Sequence, residues 1–156
     1  MTSQTGPEPG LSRVLEAFAL LLGRWTAVGM QDIILERAGV RADAASMTLL
    51  LELERVGGTA RPSYLAQMSR TSASNISKVL ARMVGWSLVE RTTEPGDLRA
   101  VSITLTEAGR RAVEAINRTS VEMLGEVMKD WPEQEIDQFG TLLGRFAQSV
   151  RASYLV

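Results

Sequence analysis

The sequence predicts a mainly α fold with a small β-wing, an α+β class in which the middle of the chain forms a winged helix-turn-helix lobe and the two ends form a helical dimerisation lobe. Three observations carry this. Two short segments with helical apolar spacing, 65–68 and 76–83, flank a tight turn at 70–72. A polar TTEPGD stretch then separates two runs in which apolar and polar residues alternate, the pattern of a hairpin. Both ends of the chain carry long amphipathic stretches that a lobe of this size does not need for its own core.

Composition limits what such a chain does. Its 156 residues suit one domain or a compact two-lobed subunit, and 45% hydrophobic against 22% charged residues lets it bury a core, unlike a disordered tail or a membrane protein. A formal net charge of -1 speaks against a nucleic-acid partner until its distribution is considered. Arg70, Lys78, Arg82, Arg91 and Arg99 fall in the middle lobe, whereas acids gather in the terminal helices. Cysteine and histidine are absent, which removes disulfides, thiolate nucleophiles, the usual zinc and transition-metal sites and Ser-His-Asp chemistry. An enzyme would have to rely on Asp, Glu, Lys or Tyr, and no cofactor is expected.

Residues 1–10, MTSQTGPEPG, lack the basic start and apolar run of a signal peptide and are expected to be a flexible tail on a cytoplasmic protein. Leu11, Leu15, Phe18, Leu22, Trp25 and Gly29 then follow three- and four-residue steps on to Ile33, which predicts one long amphipathic dimerisation helix within 11–38. Arg24 interrupts its apolar run, which is too short to span a bilayer, so no membrane is implied. Asp43 reads as the N-cap of the next helix, with Met47, Leu50, Leu51 and Leu53 facing inward and Gly57 and Gly58 ending it. Residues 59–61 are expected to add a short third strand to the hairpin.

Pro62 suits a first helical position, where its missing N–H would be unpaired anyway, and Leu65, Ala66 and Met68 supply one buried side. Ser72 is placed to cap the following helix, in which Ile76, Val79, Leu80 and Met83 recur at helical spacing. Its other face carries Ser74, Asn75, Ser77, Lys78 and Arg82, short hydrogen-bonding groups and long cations, as on a helix that lies in a DNA major groove. Local capping competes with base contact for Ser72 more than for Asn75. Leu88, Val89 and Arg91 lead into TTEPGD, and Val101, Ile103 and Leu105 return, so the hairpin is a wing whose Arg99 suits the adjacent minor groove.

Thr106 caps a helix carrying Ala108, Ala112, Ile116, Met123, Val127 and Met128, and Pro132 breaks it. Glu133 and Glu135 have the look of a catalytic pair, but negative charge at a helix start explains them without a pocket. Ile136, Phe139, Leu143, Phe146 and Val150 alternate three- and four-residue steps, close to a coiled-coil seam. Residues 106–156 thus join 11–38 as dimerisation helices around a winged lobe at 43–105. A second copy is the simplest partner for their stripes; terminal helices closing on their own lobe are the competing arrangement.

The words LAQMSRTSASNISKVLARM, LVER and EPGDLRAVSITLTEAG, with the Asp-x-Arg of Asp97 and Arg99, run in the order helix, turn, helix, wing and LTEAG. On them the chain resembles, over about 43–109, the MarR family of winged-helix transcriptional regulators. The resemblance implies a homodimer on a pseudo-palindromic operator in double-stranded DNA, with recognition helices roughly 34 Å apart. It also implies that Asp97 pairs with an arginine of the recognition helix and sets the wing angle, which would make Arg82 a clamp instead of a DNA contact. Small anionic aromatic effectors often bind between dimer helices and DNA-binding lobe in the family. Arg24, Trp25, Met30, Met47 and Leu51 are the candidates to line such a cavity, with Arg24 meeting a carboxylate, although Met and Trp at helical spacing usually pack in a core.

Three departures stand out. Arg70 and Ser87 occupy positions where the family usually has glycine in a left-handed conformation, so these turns are expected to be built differently, with Gly85 taking part. Leu98 replaces one of two basic wing residues, and Asp43, Ala44 and Ser46 stand where the family often has a Thr-Pro start and a Gln. The expected function is a dimeric DNA-binding repressor released by a small ligand. An effector-independent regulator, or a helical protein-interaction module, are the alternatives.

Overall fold

The computed structural model describes residues 9–27, 29–94 and 97–154, and within them every side chain except those of 25–27, 94, 97–100, 151 and 154. In chain order the elements are α1 (Pro9–Ala27), α2 (Met30–Ala38), α3 (Ala44–Arg55), β1 (Thr59–Ala60), α4 (Pro62–Met68), α5 (Ala73–Gly85), β2 (Val89–Glu94), β3 (Asp97–Leu105), α6 (Glu107–Val127) and α7 (Glu133–Tyr154). They fall into two compact units, one ending at Thr119 and the other beginning at Ser120.

The first unit is built around the apolar sides of α3 and α5. In α3 the buried positions are Ser46, Met47, Leu49, Leu50 and Leu53. Ser46, Leu49, Leu50 and Leu53 follow the i, i+3, i+4, i+7 spacing of a single helical stripe. Three consecutive leucines hide that phase in the sequence, and Leu51, expected inside, is only half-buried. Leu65 of α4 and Ile76, Val79, Leu80 and Met83 of α5 close on this stripe, with Val89, Ile103 and Leu105 of the sheet and Val113 and Ile116 of α6.

The sheet is antiparallel, in the order β1-β3-β2. Strand β1 pairs Thr59 with Thr104 and Ala60 with Ile103, so the short third strand forms where the sequence places it. The Thr104 hydroxyl lies 3.1 Å from those of both Thr59 and Thr92, a link across all three strands.

Four helices end in the same way. In α2, α3, α4 and α5 two backbone N–H groups reach back over the last turn to carbonyls, as Gly57 to Glu54 and Gly58 to Leu53, or Ser87 to Val84 and Leu88 to Met83. This closure needs a left-handed residue. Gly39 and Gly57 supply it for α2 and α3, with φ of 65° and 92°, but Arg70 and Ser87 supply it for α4 and α5, with φ of 47° and 58°. The expectation that these two turns would be built differently is therefore corrected: Gly85 is an ordinary helical residue, and the non-glycine residues take the left-handed backbone themselves. Two hydrogen bonds at each turn, joined at Ser87 by the burial of Leu88 and Met83, offset a strain of about 1–2 kcal/mol.

The single helix expected through 33 is also corrected. Gly29 sits at φ 62° between α1 and α2, and its carbonyl accepts from Asp32 and Ile33 to start a new helix. Helix α1 begins at Pro9, inside the stretch read as a tail. Along α1, Leu11, Leu15, Leu20 and Leu21 are all more than half exposed. In the second unit, Trp131 stands edge-on to Phe139 with ring centroids 5.7 Å apart, while Leu124, Val127, Ile136, Phe139, Leu142 and Leu143 remain exposed.

At Gly109, α6 meets the turn between α5 and β2 without a spacer: an added Cβ would run into the Leu88 carbonyl and lie 3.2 Å from Leu105 Cδ2. Thr106 sits one turn earlier, its hydroxyl donating to Ser87 O (2.6 Å) and accepting from the Gly109 N–H (3.0 Å). Two opposite outcomes follow for thermal melts. Arg70→Gly and Ser87→Gly each stabilise the fold by about 1 kcal/mol through relief of left-handed strain. Gly109→Ala destabilises it by about 2–3 kcal/mol through overpacking.

Candidate nucleic-acid interface

Helix α5 is positioned by what it buries. With Ile76, Val79, Leu80 and Met83 turned to the core, Ser74, Asn75, Ser77, Lys78 and Arg82 are left on the exposed side. The Ser72 hydroxyl accepts from the Asn75 N–H at 3.2 Å, the N-cap role read from the sequence. The Asn75 amide donates to Thr71 Oγ1 at 2.9 Å, which orients it and still leaves its carbonyl oxygen and second N–H for a bidentate contact. The Ser77 hydroxyl gives its proton to Ala73 O at 2.9 Å and keeps an oxygen as acceptor. Among the described residues, Ser74 and Lys78 make no side-chain hydrogen bond.

Arg82 is differently engaged. Its Nε donates to Asp43 Oδ2 at 2.9 Å and its Nη2 forms an ion pair with the same oxygen at 2.8 Å, while the other oxygen of Asp43 accepts from the Ser46 N–H at 2.8 Å. One carboxylate therefore caps α3 and holds α5. The sequence revealed only the cap. The side chains of Asp97 and Arg99 lie outside the described residues, although both residues belong to β3; Arg91 is exposed on β2.

A second link went unread in the sequence. Tyr64 of α4 donates its hydroxyl to Glu52 Oε1 at 2.7 Å, and Arg55 grips both oxygens of Glu52 at 2.7 and 2.8 Å and the Tyr64 hydroxyl at 2.9 Å. The hydrogen bond to Glu52 pushes the Tyr64 phenol up from its ordinary value. This brace fastens a helix of seven residues, too short to hold itself, to α3. The i, i+3 spacing of Glu52 and Arg55 was the one signal available.

Of the residues considered for a small-ligand cavity, Met47 is buried in the core, Met30 and Leu51 are half-buried and Arg24 is exposed on α1; the Trp25 side chain lies outside the described residues. A separate cleft of about 280 Å³ is lined by Arg41, Trp86, Leu88, Arg111, Ala112 and Ala115 among others. It adjoins the C-terminal end of α5, where Trp86 is the C-cap.

The shared carboxylate makes stability sensitive to acid. Burial raises the pKa of Asp43, but the Ser46 hydrogen bonds and the Arg82 guanidinium outweigh it and hold the group below the usual carboxylate range. A depressed folded-state value contributes stability that is complete above the unfolded carboxylate pKa and lost as pH falls through the folded one. Asp43→Asn should thus remove part of the acid-side slope of stability against pH while leaving the neutral-side slope unchanged, as followed by urea denaturation from pH 3 to 7.

The comparisons with known proteins agree with this geometry. The MarR family model matches residues 35–100. The chain is 30% identical over 103 residues, 66% of its length and 71% of the relative's, to the uncharacterised HTH-type transcriptional regulator YxaD of Bacillus subtilis. Its fold is similar to that of a MarR family protein from Bacillus stearothermophilus, with a TM-score of 0.78 at 20% identity over 94% of this chain and 99% of that one. It is also similar to the organohalide-sensing RdhR-CbdbA1625 transcriptional regulator in its 2,4-dichlorophenol-bound form, with a TM-score of 0.60 at 16% identity over 99% of this chain and 92% of that one. No described helix is long and apolar enough to cross a membrane. An outward polar face on the second helix of a helix-turn-helix, a hairpin wing beside it and these likenesses lead to one conclusion: the chain belongs to the MarR family of DNA-binding transcriptional regulators.

Proposed function

We propose that the protein acts as a homodimeric repressor that grips a pseudo-palindromic operator with two copies of α5 and is released by a small ligand of the aromatic-acid type. The observation that carries the reading is the contrast between the two kinds of exposed surface. On α5 the exposed side chains include Ser74, Asn75, Ser77, Lys78 and Arg82, with Val84 the one large apolar residue among them, whereas α1 and α7 expose leucines, isoleucine and phenylalanine in runs. Apolar stripes of that length call for cover, and a second copy of the same stripes provides it under two-fold symmetry. In the dimer, α5 and its mate enter successive major grooves about 34 Å apart.

Each side chain has a distinct task in this reading. Asn75, held by Thr71, pairs with adenine, and Ser74 and Ser77 offer further contacts to base edges. Lys78 meets phosphate or guanine, and Arg99 enters the minor groove beside the wing. Ser72 orients the helix start. The reading of residues 11–38 and 106–156 as dimerisation segments around a DNA-binding lobe at 43–105 rests on their exposed apolar residues at 11–22 and 121–146, since Ile34, Leu35, Val113 and Ile116 are buried in the first unit.

Release by a ligand is supported by the relative solved with 2,4-dichlorophenol and by the cleft beside the end of α5. Two arginines, Arg41 and Arg111, line it with Trp86, Leu88 and alanines, and although Arg111 Nη1 already donates to Glu107 Oε1 at 3.3 Å its other N–H groups remain, a combination suited to a carboxylate on an aromatic ring. A molecule wedged against Trp86 would shift α5 and spoil the operator spacing.

Titration against the DNA upstream of the protein's own gene tests the reading. Wild-type affinity should fall steeply with salt; Lys78→Ala and Arg99→Ala should each flatten the log–log slope by about one unit, and Asn75→Ala should relax base preference more than it weakens binding to random duplex. Salt-independent binding to this DNA would refute the regulator reading. Truncation after Pro132 should convert a sedimenting dimer into monomer, and two subunits persisting in that variant would overturn the assignment of the C-terminal helix.

A further inference from the structure

We infer that Arg82 is a positioning residue, which with Asp43 sets the angle at which α5 is presented to the operator and thereby governs discrimination between operator and random DNA without touching a phosphate. This rests on the proposed DNA-binding role of α5. Four features point to it. Arg82 Nε donates to one oxygen of Asp43 and Nη2 pairs with that same oxygen, which fixes the side chain against α3, and the second oxygen is taken by the Ser46 N–H. Drawing Arg82 toward DNA would leave a bare carboxylate facing a polyanion. The pair is neutral as it stands, so it displaces no counterion from DNA, unlike the lone cation of Lys78.

Position along the helix agrees. Arg82 lies eight residues beyond Ser74 on the same face, about 12 Å further along the axis and toward the end that leads away from the bases. It is therefore placed as the far end of a lever whose near end carries Ser74 and Asn75. The fulcrum is α3, because Asp43 is its N-cap and the α3 stripe is the floor on which α5 packs. A small change of tilt at Arg82 moves Asn75 out of reach of a base edge. An exposed pair of this kind adds little to folding stability, so its loss alters geometry more than it alters folding.

The test uses the full chain carrying Arg82→Ala, Arg82→Lys, Asp43→Asn or both Arg82→Ala and Asp43→Asn. Asn at position 43 preserves an oxygen for the Ser46 N–H, so the cap survives while the clamp is broken. Each protein is titrated by fluorescence anisotropy against duplex from upstream of its own gene and against random duplex, over a series of salt concentrations. The expected result is that either single variant lowers the preference for operator over random duplex about tenfold, that the double variant is no worse than either, and that the salt slope stays at the wild-type value. Arg82→Lys, which keeps the cation but not the fork, should restore little. Three results would overturn the inference. One is a slope flattened by about one unit in Arg82→Ala, with equal losses on both duplexes and with rescue by lysine, the mark of a phosphate contact. The second is additive losses in the double variant, and the third is an Arg82→Ala chain that does not fold, either of which makes the pair something other than an aiming device. A wild-type chain without salt-dependent operator binding would instead defeat the DNA-binding role on which this rests.

Discussion

The candidate DNA-facing surface of this molecule depends on the burial of one seam. Ile76, Val79, Leu80 and Met83 are each no more than 4% exposed, and burying side chains of this kind is worth about 1.5–3 kcal/mol apiece. That is several times what an exposed ion pair contributes. The seam decides which side of α5 faces out, and no polar contact on the outer face is strong enough to reverse it. The Asp43 clamp and the Thr71 tether act within that decision: they trim an orientation that the apolar side has already chosen.

Much of the fold was legible because its signals are local. Asp43, Ser72 and Thr106 were read as caps from the few residues around each, and each accepts the N–H three residues on. The hairpin and its two-residue third strand follow from alternation and from one turn. What was misread lies where a local rule meets a competing backbone need. Arg70 and Ser87 suggested different turns because neither is glycine, yet the two-bond closure of α4 and α5 outweighs a modest left-handed penalty. At Gly29 the error ran the other way: a continuous apolar period concealed a residue free to leave the helix. The candidate site was legible as a face, since Ser74, Asn75, Ser77 and Lys78 share one. It was not legible as a network. Arg82 and Asp43 are 39 residues apart, and the cap role had already accounted for the acid.

The two ends of the chain follow a different logic from the middle. In the middle, most apolar residues are inside, with Met68, Val84 and Val101 as scattered exceptions, and the outer side chains are largely polar. At the ends the apolar residues are outside, as with Leu15 at 70% and Val127 at 77% exposure. A polar helix face tolerates water; long hydrocarbon stripes do not. The same chain thus presents one surface suited to a solvated polyanion and others suited to a dry partner, and the two demands never compete for the same residues.

Gly109 bears on how a disturbance travels through such a molecule. A side chain between two backbones is a cushion, since rotamers absorb small displacements before anything else moves. Here there is none: the first turn of α6 rests on the Leu88 carbonyl, with the Thr106 hydroxyl bonded to the neighbouring carbonyl of Ser87. The first turn of α6 therefore bears directly on the backbone that links α5 to β2, and a methyl group at that single position would leave the two no room to settle.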